Sequence, residues 1–282
     1  MESIAQPLPE TGKRVRWHRL RGLSDCVSEL WRCRELFRVL AGRDLKVRYK
    51  QSLLGAAWAI LQPASMTFVF TIVFGYFLKT SDENIPLPLF FYVTTAPWAF
   101  LAASLGASVG SLVNNLSLVT KVRFPREILV IAGIGALGVD FLIALCLFPL
   151  LLLVWPISMS LSVLWLPLLL TLQILLITGI GLIIAASNVF YRDLRFLVPL
   201  GLQLWFFASP VMYSVSMVPE RFRRFYMLNP MAPILNGYRE TLLYGNSPQL
   251  GWLVLAALTS IFIFILGYWA FKRLEPAFAD VI

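Results

Sequence analysis

Between Ile128 and Tyr191 a single residue, Asp140, carries a charge. So long an apolar run cannot be closed inside a soluble domain of this size. In lipid it must satisfy its own backbone, which means helices, and at roughly 20 residues per crossing it is too long for one of them. It reads as a helical hairpin turning at Trp155, Pro156 and the Ser-rich segment beyond. Two further charge-free runs, Gln51 to Leu78 and Asn84 to Thr120, extend the pattern. With 59% hydrophobic residues, 14% charged residues and a mean hydropathy of +0.76, the chain is an all-α integral membrane protein. Apportioning the runs predicts six transmembrane helices, at about 62–78, 89–112, 128–154, 164–189, 196–212 and 252–271. Pro63 then falls in the first turn of the first span, where proline is tolerated.

Half of the 24 lysines and arginines precede Gln51. With six spans, this tail falls on one side together with Lys121, Arg123 and Arg126, with Arg192 and Arg195, and with Lys272 and Arg273. The positive-inside bias makes that side cytoplasmic and places both termini there. The expected organisation is a variable cytoplasmic tail (1–29), an amphipathic interface helix and elbow (30–61), the transmembrane domain (62–271) and a cytoplasmic C-terminus (272–282). Residues 213–251 strain the scheme, because Arg221, Arg223, Arg224 and Arg239 fall outside. Their prolines and short motifs suggest re-entrant or short external helices between spans five and six.

The net charge of +9 fits a tail lying on anionic lipid and requires no nucleic acid. Met1 to Leu30 has no apolar core, so it is not expected to be a cleavable signal peptide. Cys26, Cys33, Cys146 and the lone His18 have no metal-ligand spacing, so no metal site is expected.

From Leu30 onward, Leu30, Cys33, Phe37, Leu40 and Val47 share one helical face, with arginines mostly elsewhere, as in a helix lying in the membrane interface. Tyr49 and Trp58 flank the loss of charge at headgroup level, where amphipathic rings settle. Asp140, the one acid inside a predicted span, costs about 3 kcal/mol at mid-bilayer. It should face protein or water, with a basic residue of the 43–50 stretch as its partner. Rings crowd the outer halves of spans one, two and five, Phe70, Phe74, Tyr92, Trp98 and Phe206 among them. A membrane glycan transferase would need clustered acids or a DxD motif near the interface, and the sequence offers neither.

The string RDLKVRYKQSLLGAAWAILQP (43–63), KVRFPREI after span two, FYRDLRF after span four, SPVMYS with the later NPM, and the terminal FKRLEPAFADVI together resemble the membrane permease of type 2 ATP-binding cassette (ABC) exporters. Within that family they look most like exporters of O-antigen, teichoic acid or capsule; a drug or lipid permease shares the fold and remains an alternative. The resemblance implies a homodimer carrying two separate ABC ATPase subunits, which bind ATP and magnesium. This agrees with the absence of any G-x-x-x-x-G-K-[ST] phosphate loop from the sequence, so no cofactor and no catalytic residue is expected in this chain. The resemblance makes Asn114 to Glu127 a coupling element, with Lys121, Arg123, Phe124, Pro125 and Arg126 toward the ATPase and Arg192 and Asp193 in support. It also makes Arg43, Lys46, Arg48, Tyr49, Lys50 and Trp58 the place where an undecaprenyl-pyrophosphate-linked glycan, or anionic lipid, meets the protein. It makes Phe70, Phe74, Tyr92, Trp98 and Phe206 candidate lining for a path along which sugar faces could slide. Residues 213–251, with Asn229, Pro230 and Arg239, resemble the family's external gate helices. The implied location is the bacterial inner membrane.

Overall fold

In the computed structural model, which describes residues 33–50, 52–78, 85–121, 124–157 and 160–278, each charge-free run becomes helix. Helix α1 (Arg34–Tyr49) precedes α2 (Ala57–Ile72), which ends in a π-turn (Val73–Phe77). Then come α3 (Leu87–Gly110), a short α4 (Leu116–Lys121), and α5 (Glu127–Leu145) running on through Cys146 into α6 (Leu147–Val154). After a 3-10 turn (Leu161–Trp165) follow α7 (Leu166–Phe190), α8 (Leu194–Phe207), α9 (Glu220–Tyr226), α10 (Met231–Leu242) and α11 (Leu250–Leu274).

Among the described residues, five helical segments are long and apolar enough to cross a membrane: Ala57–Phe77, Leu87–Gly110, Glu127–Val154, Leu161–Phe190 and Leu250–Ala277. Helix α8 is the sixth apolar helix, but its 14 residues reach only about 21 Å at 1.5 Å per residue. The span expected at 196–212 therefore ends early. Phe207 is followed by turns through Ser209, Pro210 and Val211, all buried, and the short helices α9 and α10 come next in the chain. The first span also differs from expectation. It begins at Ala57, so Pro63 lies inside the helix and is buried.

Helix α3 is the central post, contacting α2, α5, α7, α8 and α10. It is apolar on every face, as a helix surrounded by others must be. Buried polar side chains stitch it to its neighbours by bonding backbone carbonyls: Gln173 Nε2 donates to Pro97 O at 2.7 Å, and Asn188 Nδ2 to Val109 O at 2.7 Å. Helices α7 and α11 form the tightest pair. A Cβ on Gly179 would lie 2.6 Å from Ile263 O, and one on Gly267 would collide with the Gly179 carbonyl, so the two backbones touch where only glycine fits.

At the periphery, α1 packs along α5. Leu40 is buried and the Phe37 ring sits where a Cβ on Gly135 would be. Val47, expected on that same face, is 71% exposed; Leu30 lies outside the described residues. The opposite flank is bare: only Pro63 and Thr67 of α2, and no residue of α8, are buried.

Candidate functional site

The chain turns from α1 into α2 over Lys50–Ala56. Gly55 adopts φ 53°, a left-handed conformation that costs glycine nothing, and its N–H donates to Ser52 Oγ at 3.2 Å. Ser52 and Gly55 thus make the bend, and Trp58 and Pro63 form a wall beyond it. A cleft of about 330 Å³ opens between α1, α2, α3 and α5, lined among others by Arg48, Tyr49, Trp58, Pro63, Phe100 and Asp140. Ala59 also lines it, and Pro63 has no N–H to offer the Ala59 carbonyl four residues back.

Asp140 finds its partners in this cleft. Its carboxylate accepts from Arg48 Nη1 at 2.5 Å and from the Tyr49 hydroxyl at 2.6 Å. Burial and the bond to Asp140 push the Tyr49 phenol up to about 12, so it stays a donor at any physiological pH. The segment Glu127–Val154 has 28 residues, about 42 Å of helix against a hydrocarbon core of about 30 Å. Asp140 stands about 20 Å along that helix from Glu127, and the elbow packed beside it brings the two partners that a carboxylate in so apolar a segment needs.

The basic stretch is therefore less free than its sequence suggests. Arg48 serves Asp140, and Arg43 bonds Asp44 at 2.9 Å. Lys46 and Lys50 are exposed and have no ion pair among the described residues. Trp58 stands 51% exposed at the cleft. The arrangement can receive an anionic headgroup on the two lysines, stack an apolar or sugar face on Trp58, and exchange one anion for another on Arg48.

Four of the five candidate lining rings meet in one cluster across α2, α3 and α8. Phe70 stacks on Phe206 at 6.0 Å and Trp98 meets Phe206 edge-on at 5.5 Å. Phe91, which sequence reasoning did not single out, bridges Phe70 and Phe74 at 5.6 and 5.3 Å. Tyr92 is the correction: it is buried and turned away, donating its hydroxyl to Ala144 O of α5 at 2.6 Å. It lines no surface of this chain. Trp205 ties the cluster outward, its indole N–H donating to Asn229 Oδ1 at 2.8 Å. Arg239 is no surface cation either. It is 1% exposed, donates to the carbonyls of Tyr213 and Pro210 at 3.0 and 3.2 Å, and lies 4.2 Å over the Phe90 ring. Its role is to close the turn that α8 leaves open.

At the other end of the bundle, the expected coupling residues divide. Lys121 ends α4 and Arg123 lies outside the described residues. Phe124, Pro125 and Arg126 are half-buried, with Phe124 against the core. Arg126 turns inward to donate to Glu275 O at 2.7 Å. Arg192 and Asp193 are exposed, with Asp193 at the N-cap of α8 and no ion pair between them among the described residues. No cluster of three metal-ligating side chains occurs among the described residues.

Comparisons with known proteins cover nearly the whole chain. The ABC-2 type transporter family matches residues 35–243. The O-antigen export system permease protein RfbA of Myxococcus xanthus is 31% identical over 265 residues, 91% of this chain and 98% of that protein. Its Klebsiella pneumoniae counterpart is 29% identical over 249 residues, 88% of this chain and 95% of that protein. The polysialic acid transport protein KpsM of Escherichia coli is 25% identical over 227 residues, 78% and 87% respectively.

Proposed function

Because the chain belongs to the ABC-2 type transporter family, as a multi-pass membrane permease, we propose that it passes a lipid-linked polysaccharide of O-antigen type across the bacterial inner membrane. The end-to-end similarity to the O-antigen export permeases carries this reading, at 31% identity over 91% of the chain. Capsule and teichoic acid polymers are the next substrates in order; the weaker match to a polysialic acid transport protein supports that order.

The working unit is a homodimer with two ABC ATPase subunits, which bind ATP and magnesium, and both termini of each permease are cytoplasmic. The bare apolar flank of α2 and α8 supports dimerisation, since a second copy would cover it. Arg126 and Lys272 lie at one end of the bundle with Phe190, just before Arg192, which supports a cytoplasmic assignment for that end.

The geometry suggests a sequence of roles. Exposed Lys46 and Lys50 draw the pyrophosphate of an undecaprenyl-linked glycan to the elbow, as basic side chains draw anionic headgroups, at about 1 kcal/mol each. The cleft behind them admits the first sugars against Trp58. The Phe70, Phe74 and Phe206 rings, backed by the buried Trp98, then offer faces without fixed hydrogen-bond demands, so that a polymer can advance without being held in register. The 116–127 segment and the 191–195 turn receive the ATPase.

The test is genetic and chemical. Deleting the gene should remove long-chain O-polysaccharide from the cell surface and leave undecaprenyl-linked glycan on the cytoplasmic side; the intact gene, co-expressed with its ABC ATPase, should restore export. Unchanged surface polysaccharide in the deletion strain would overturn the reading.

A further inference from the structure

The sequence stretch FKRLEP, read above only as part of a family resemblance, is built into the cytoplasmic end of the fold in a way that a loose terminus would not need. Glu127, the first residue of α5, is 2% exposed. Its carboxylate is held by Lys272 Nζ at 2.8 Å and by the Tyr268 hydroxyl at 3.3 Å, both from α11. Lys272 also reaches Glu275 at 3.1 Å, and Arg126 donates to the Glu275 carbonyl while its guanidinium lies 5.9 Å over the Phe278 ring. Phe278 is fully buried, 5.4 Å from Phe271 of α11 and 6.1 Å from Phe190, the last residue of α7.

We infer that Lys272–Phe278 is a strut linking the residues just before α5 to α11 and α7, with Lys272, Glu127 and Phe278 as positioning residues for energy coupling. The inference rests on the reading of 116–127 as the segment that receives the ATPase. Along the chain, a push on that segment reaches only α3 before it and α5 after it. Through the strut it also reaches α11, and the Gly179–Gly267 backbone contact binds α11 to α7. The buried Glu127 carboxylate resists losing its half-buried cation, because parting them leaves a buried charge uncompensated. The ionic limb and the aromatic limb end on different helices, so the push is distributed over both.

A terminus that merely covers the end of the bundle would affect folding yield alone. The discriminating measurement is glycan moved per ATP hydrolysed. The permease with its ABC ATPase subunits is reconstituted in liposomes, using undecaprenyl-pyrophosphate-linked glycan extracted from an export-deficient strain. Lys272→Met should leave ATPase co-purification and hydrolysis within about twofold of the parent while lowering glycan per ATP about tenfold, within the usual range of coupling between sites. Lys272→Arg, which keeps the cation, should restore the ratio, and Phe278→Ala should lower it by a smaller factor. A Lys272→Met complex with an unchanged ratio, even at reduced yield, would overturn the inference. Should that variant fail to assemble, Glu127→Gln and Phe278→Ala decide: unchanged ratios in both overturn it, and lowered ratios support it. Failure of the parent chain to bind an ABC ATPase would instead strike at the permease reading itself.

Discussion

Asp140 and Glu127 stand on the same helix, about 20 Å apart along its axis, and each is held by one cation and one tyrosine. Arg48 and Tyr49 hold Asp140; Lys272 and Tyr268 hold Glu127. The surroundings are opposite. The Asp140 group lines a cleft with Arg48 facing outward, whereas the Glu127 carboxylate is sealed under the C-terminal segment. Water near the first pair screens it and lets a competing anion approach, so its partners can be exchanged. In the second pair the carboxylate itself is closed off, so it depends on the partners it already has and moves with them. One constellation thus serves as a replaceable contact at an open cleft and as a fixed joint at the closed end of the same helix.

The largest effect that separates the two should come from Lys272→Met. Stranding Glu127 should lower the unfolding free energy of the detergent-solubilised chain by about 3 kcal/mol, read as a shift in its denaturation midpoint. A loss below about 1 kcal/mol would show that the two pairs do not differ. Next in size is Lys46→Gln with Lys50→Gln, which should cost about 2 kcal/mol of binding to vesicles containing phosphatidylglycerol, at about 1 kcal/mol per cation, and should flatten the salt dependence. Retained binding would place headgroup capture elsewhere. Smaller, and of opposite sign, is Asp140→Asn. It should cost about 1 kcal/mol of stability or less, as exposed pairs do, while raising binding to the same vesicles because Arg48 is released to them. A fall in binding would mean that Asp140 orients Arg48 rather than competing for it.

Tyr49→Phe should be the mildest change, about 0.5 kcal/mol for one hydrogen bond. The phenol is raised from its ordinary value to about 12, so the stability it contributes is fully present below pH 10 and is lost only as pH rises through about 12. Stability measured between pH 6 and 9 should therefore show no step that Tyr49→Phe removes.

The long helices were legible because charge is so costly in lipid that its absence marks a span almost by itself, and the same cost foretold a partner for Asp140. Other features left no such mark. SPVMYS is apolar enough to extend a span, and Pro210, three residues past Phe207, was the one local mark that α8 stops there. Arg239 reads as an ordinary external cation until the turn it closes is seen, because its acceptors are main-chain carbonyls with no side-chain signature. Helix α3 is apolar on all sides, so its periodicity could not say that Tyr92 faces α5 while Trp98 faces α8. The Glu127–Lys272 pair joins residues 145 positions apart, and only folding brings them within reach.

Helix α8 covers about 21 Å of an oily layer about 30 Å deep, and what completes that flank is not hydrocarbon-like. The chain beyond Phe207 presents the Asn229 amide, the Tyr213 and Tyr226 hydroxyls and a turn whose carbonyls are gathered on a guanidinium. On the proposed function, a phosphate moving along this flank would meet an apolar helix about one third shorter than the hydrocarbon core is deep. The self-energy of a charge depends on the low-dielectric material around it. A helix too short for its membrane would therefore lower the toll on an ionic cargo before any residue touches it.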